Sequence, residues 1–209
     1  MARIIGYRRF GGVEVLEEGS VSLPAPGEGQ VLVTVRAAGI NPVDYKLFGG
    51  LTRPLEVLRT IVHPSRWFAR GADRPLRGVG QDFAGVVAAV GPGVANVAVG
   101  DEVIGLLRAA PWQVREYGSL ATQLVISADN VVPKPASVSF EVAGGLGVAA
   151  QTAMGALRRV RAEAGDVIVV AAAAGGVGGL VTQLARARGA SVIGIAGPSN
   201  ADYLRSLGA

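Results

Sequence analysis

The chain of 209 residues has no cysteine and a single histidine, His63. Disulfides, a catalytic thiolate and any zinc site built from Cys and His ligands are thereby excluded. Only 17% of the residues are charged and half are apolar. That balance suits a packed α/β protein and not a disordered one. Every long apolar run is broken by glycine turns or charges, so no membrane span is read and no membrane partner is expected. The opening MARIIGYRRF lacks an apolar core of signal-peptide length. A cytoplasmic location is the expectation.

The net charge is +4, with an isoelectric point near 10.0. A nucleic-acid surface would want aromatics interleaved on a sheet or a basic recognition helix. Neither is visible, so no nucleic-acid partner is expected. Glycine, in contrast, is plentiful: 31 residues, about twice the average share. They follow no short period, which rules out collagen-like and linker readings.

Residues 1–130 read as β structure with loops. GQVLVTVRAAGI, residues 29–40, alternates Val31, Val33 and Val35 as a half-buried strand should. DFAGVVAAVGPGV, residues 82–94, is a second strand closed by a Gly-Pro-Gly turn. VGDEVIGL, residues 99–106, supplies a third, and residues 119–135 a fourth with breaks at Pro133 and Pro135. Strands at this spacing suggest a small barrel or sandwich. Residues 51–78 differ in texture, with six Arg against one Glu and one Asp. A short helix is predicted near 55–61. His63 reads as an ordinary loop residue. Trp67 and Phe68 are candidates for a substrate-facing wall, with core packing an equal reading.

Residues 131–209 turn helical and then alternate. Ser139 opens a helical pattern with Glu141 in its first turn, carried on to about Val160. The apolar run 167–171 reads as a strand of a parallel sheet buried on both faces. A helix is predicted from about Val177 to Arg188 and a second strand over 191–195.

Between that first strand and that helix lies Ala173-x-Gly175-x-x-Gly178. The dinucleotide fingerprint is G-x-G-x-x-G, with Ala173 standing in for the first glycine. Gly175 would let the backbone approach a pyrophosphate, and Gly178 would let the helix lie close to the strand. The N–H groups at Gly176, Val177 and Gly178 would face the phosphates. An NAD site places an acid at the end of the second strand. Here Ser199 and Asn200 follow it instead, able to donate to a 2′-phosphate, with Arg205 nearby; NADPH is preferred over NADH. The alternative is a tight turn without a ligand.

Together, AAGINPVDYKLFGG, GQDFAGVVAAVGPGVANVAVGDEVIG, QTAMGAL and AGDVIVVAAAAGGVGGLVTQLARARGASVIG resemble the medium-chain dehydrogenase/reductase superfamily, and within it the zinc-free quinone oxidoreductase and enone reductase branch. The resemblance covers nearly the whole chain, in the family's order and spacing. It implies a GroES-like β-barrel domain followed by a Rossmann domain, with NADPH in the cleft between them. Zinc-dependent members carry Gly-His-Glu where this chain has Gly80-Gln81-Asp82. Asn41, Asp44 and Lys46 fall in the family's cleft-lining stretch and are the catalytic candidates. Lys46 could stabilise a developing oxyanion, and some relatives have Tyr there; a solvent-facing lysine is the plain alternative. Tyr45, read along an extended segment, would point away from Lys46. Thr152 matches a threonine near the cofactor in relatives, with a helix hydroxyl bonding its own backbone as the alternative.

Relatives are longer, and the chain stops before the family's third Rossmann strand. The Rossmann domain is therefore expected to be partial. Exposed strand edges, weak cofactor binding and association with a second copy or a completing second chain are the corresponding expectations. Three functional readings stand: an NADPH-dependent reductase of small quinones or α,β-unsaturated carbonyls, a non-catalytic remnant or regulatory binding protein of the same fold, and a nucleic-acid binder resting on charge alone.

Overall fold

The computed structural model describes residues 1–54, 75–107 and 118–209. The helix expected near 55–61, and His63, Trp67 and Phe68, lie outside the described residues. The chain divides into two compact units, Met1–Gly147 and Val148–Ala209.

The first unit is antiparallel. β1 (Ala2–Tyr7) and β2 (Leu16–Val21) pair in full register, Ala2 with Val21 and Tyr7 with Leu16. β3 (Gln30–Gly39) leads through α1 (Pro42–Lys46) to the short β4 (Arg77–Gly78), which pairs with β1. β5 (Asp82–Val90), β6 (Glu102–Leu106), β7 (Gln123–Ser127) and β8 (Val131–Pro133) complete the unit. A five-stranded sheet forms in the order β7-β3-β5-β6-β8, and a three-stranded one in the order β2-β1-β4. Among the described residues these sheets stay open and do not close into the barrel expected. The fourth strand read from the sequence is two strands, because a 3₁₀ turn at Ala128–Asn130 interrupts it. Ser127 starts that turn by accepting from the Asp129 N–H at 3.3 Å.

Alternation places Val31, Val33, Phe83, Val87, Val103, Leu124 and Ile126 in one core. Phe83 pairs with Gly105 across β5 and β6, and its ring covers the glycine. A second cluster joins Tyr7, Val15, Phe48 and Val79, with the Arg77 guanidinium 5.8 Å from the Tyr7 ring centre.

The helix expected from Ser139 onward is two helices. Ser139 caps α2 (Phe140–Gly144), its Oγ accepting from the Val142 N–H at 3.3 Å. The chain breaks at Gly145, and α3 (Gly147–Arg159) follows. The apolar spacing runs through both, but glycines at 144, 145 and 147 stabilise a helix poorly. α2 packs against β3: a Cβ on Gly144 would come within 2.9 Å of Ala37.

The second unit is a β-α-β element with a following helix. β9 (Val167–Ala171) and β10 (Ser191–Ile195) are parallel, Val167 opposite Ser191 and Ala171 opposite Ile195. Between them runs α4 (Gly176–Ala187), and α5 (Ala201–Ser206) follows. β9, α4 and β10 match the sequence reading to within a residue. Leu157, Val170, Ala173, Ala185, Val192 and Leu204 form the core. On the opposite face of the two strands Val167, Val169, Ile193 and Ile195 are each more than half exposed. The run expected to be buried on both faces is covered on one.

Candidate functional site

Asn41, Asp44 and Lys46 come together at α1, which is helical and not extended. Pro42 sits in the first helical turn, where its missing N–H costs nothing. The Asn41 N–H donates to Asp44 Oδ2 at 2.7 Å, and the Asp44 N–H to the Asn41 carbonyl at 2.9 Å. Asn-Pro-x-Asp is therefore a helix start, a signal present in the sequence but not read there. Asp44 is buried, whereas Tyr45 and Lys46 are exposed. In a helix these two neighbours are about 100° apart and not on opposite faces.

Asp82, which has no role in the sequence reading, anchors the Asn41 side chain. It is fully buried at the first residue of β5. The Asn41 side-chain amide donates to its Oδ2 at 2.8 Å. A Cβ on Gly147 would lie 2.6 Å from its Oδ1, and one on Gly39 would lie 3.2 Å from its Cβ. Glycine at both positions leaves room for this carboxylate. The Gly-Gln-Asp stretch was visible; burial of the acid depends on partners distant in sequence and was not.

In the second unit the glycine turn has the shape its residues require. Gly175 starts α4, and no side chain caps the helix. The first N–H groups of a helix have no partner within it, and no acid occupies this first turn. A Cβ on Gly176 would meet nothing within 4 Å. One on Gly178 would overlap the Ala172 carbonyl oxygen, so glycine there lets helix and turn close up. The turn thus fits an anion such as a pyrophosphate. Ala173, in the first-glycine position, is fully buried in the core, and Gly194 faces it without a side chain. The left-handed residue is its neighbour Ala172, φ 52°. Val177 is partly exposed. Ser199 and Asn200 sit in a 3₁₀ turn at Pro198–Asn200, Ser199 exposed. Arg205 pairs with Asp202 at 2.6 Å on the surface. The Thr152 hydroxyl donates to the Val148 carbonyl within α3 at 2.6 Å.

Comparison with known proteins gives this geometry its context. Residues 27–136 match the alcohol dehydrogenase GroES-like domain. The NADPH-dependent alkenal/one oxidoreductase of Arabidopsis thaliana chloroplasts is 37% identical over 208 residues, covering 97% of this chain and 50% of that protein. The quinone oxidoreductase structure from Coxiella burnetii is 33% identical with a TM-score of 0.81, covering 100% of this chain and 60% of that one. The Escherichia coli quinone oxidoreductase complexed with NADPH is 28% identical with a TM-score of 0.75, covering 99% and 56%. The chain spans about half the length of the curated relatives it matches. With the domain match extending over more than half of its residues, the chain belongs to the alcohol dehydrogenase GroES-like family, in the quinone and enone oxidoreductase branch of the medium-chain dehydrogenase/reductase superfamily.

Proposed function

We propose that the chain belongs to an NADPH-dependent, zinc-independent oxidoreductase that reduces a quinone or an α,β-unsaturated carbonyl. The observation that carries this reading is the uncapped N-terminus of α4 behind Gly175 and Gly178, on a chain whose relatives are named as alkenal/one and quinone oxidoreductases. Zinc independence rests on the sequence: no cysteine, one histidine, and Gln81-Asp82 where zinc-dependent relatives carry His-Glu. NADPH, when bound, supplies a hydride for the electron-poor carbon of the acceptor.

This chain's residues bind and orient. Gly175, Gly176, Val177 and Gly178 hold the pyrophosphate by backbone N–H groups, with Ala173 anchoring the turn in the core. Ser199 and Asn200 meet the 2′-phosphate, and Thr152 borders the cofactor. Exposed surface pairs are weak, so Arg205 is free to exchange Asp202 for that phosphate. On the acceptor's side, Asp44 and Asp82 fix Asn41, and the exposed Lys46 ammonium meets negative charge developing on the acceptor oxygen. The first unit, Met1–Gly147, is the substrate side and the second, Val148–Ala209, the cofactor side. The protein acts on small molecules in the cytoplasm, with association through the exposed β9–β10 face.

The test is NADPH oxidation by the purified chain with a benzoquinone and with an alkenal. Acceptor-dependent oxidation is expected. Cofactor binding without turnover of either acceptor would favour the non-catalytic reading.

A further inference from the structure

In the first unit, β1, β3 and the segment 119–122 enclose an open depression of about 380 Å³. That volume lies within the range of small-molecule sites. Its walls are largely apolar, with Ile4 and Ile5 from β1, Val35 and Ala38 from β3, and Leu120.

Its polar lining is Arg3, Glu18, Arg36, Ser119 and Thr122, two cationic side chains against one carboxylate. Arg36 is the residue skipped in the β3–β5 register, since Val35 pairs with Gly85 and Ala37 with Ala84. Bulges of this kind re-aim a side chain. Arg36 lines the depression, is exposed, and has no carboxylate partner among the described residues. Arg3 also lines it and pairs with Glu18 at 3.4 Å, but both side chains are largely exposed, so the pair is weak. Ser119 is fully buried, and its Oγ has no hydrogen-bond partner. Being covered, Ser119 belongs to the floor of the depression and is not a ligand contact.

We propose that this depression binds a small organic carboxylate with an apolar body. A guanidinium matches a carboxylate in both charge and fork geometry. The β1 and β3 walls take the apolar body. None of these residues takes part in the reaction proposed above, and the site stands whether or not that reading does.

The test is an NMR titration of the full chain, following backbone amides, with hexanoate and with hexanol as its neutral counterpart. Saturable shifts are expected at residues 36–38 and 119–122. Hexanoate should bind about tenfold more tightly than hexanol, the value of one charge-assisted contact. Arg36→Ala, at an exposed position, should abolish that preference, and Arg36→Lys should restore part of it. The proposal is overturned by no saturable shift at millimolar hexanoate, by equal affinities for the acid and the alcohol, or by an affinity that Arg36→Ala leaves unchanged.

Discussion

The Asn41 amide donates to the Asp82 carboxylate at 2.8 Å, between residues 41 positions apart. The bond ties the start of a helix to the start of a strand, and Asp82 is fully buried. A carboxylate taken out of water must be bonded to be tolerated. Asp82→Ala should therefore cost about 2–4 kcal/mol, because it leaves the Asn41 amide unpaired and opens a cavity. Asp82→Asn keeps an acceptor and should cost less. Urea denaturation of the two variants checks the order; equal midpoints for Asp82→Ala and the parent would remove weight from this bond.

Phe83 and Gly105 form a second dependent pair. Phe83 is fully buried, and any Cβ on Gly105 would enter its ring. Core overpacking typically costs about 1–3 kcal/mol. Gly105→Ala should fall in that range by thermal or chemical melting. Gly155→Ala provides the contrast, since its added methyl meets nothing within 4 Å, and alanine favours a helix by about 1 kcal/mol over glycine.

At the glycine turn the sequence pattern and the backbone disagree about which alanine bears the strain. The fingerprint puts glycine at 173, yet the left-handed residue is Ala172. A left-handed alanine is strained by about 1–2 kcal/mol, and glycine gives back about 0.4–1 kcal/mol through the unfolded chain. Ala172→Gly should be neutral to slightly stabilising. Ala173→Gly should destabilise, since it removes a fully buried methyl from a turn residue without positive φ. The reverse order in a melting experiment would contradict the backbone geometry described.

Glu141 gives a pH signature. Its carboxyl is held below the ordinary value of 4.5, first by its own backbone N–H and then by the Ser139 hydroxyl. A carboxyl lowered in the folded state adds stability above its unfolded pKa and loses it as pH falls through the folded one. The parent's advantage over Glu141→Gln should therefore be present at neutral pH and vanish in acid. Both groups are at the surface, so the advantage is small. An advantage that grows on acidification would reverse the sign.

Local patterns made much of the fold legible. β3 was read from the alternation of Val31, Val33 and Val35, and β9, α4 and β10 from an apolar run, a glycine turn and a second apolar run. The β1–β2 hairpin was not read. The burial of Asp44 and Asp82 depends on contacts that no local window contains. The break at Gly145 was hidden because apolar spacing continues across it. At the candidate site the residues of α1 are legible in the sequence, but their helical form is not, because Asn41-Pro42-x-Asp44 reads there as extended chain. The glycine turn was found from its strand-turn-helix setting, although the position of its left-handed residue was not.

The most direct test is calorimetric titration of NADPH, and of NADH beside it, into the full chain and its Gly175→Ala variant. A Cβ on Gly175 would come only within 3.3 Å of the Ala172 carbonyl, so that variant is expected to fold. It would, however, stand in the way of a pyrophosphate. Saturable binding, tighter for NADPH and weakened about tenfold or more by Gly175→Ala, is the expected result for a backbone-held phosphate. No binding by the folded parent at millimolar cofactor, or binding that Gly175→Ala leaves unchanged, would contradict a dinucleotide site at the N-terminus of α4.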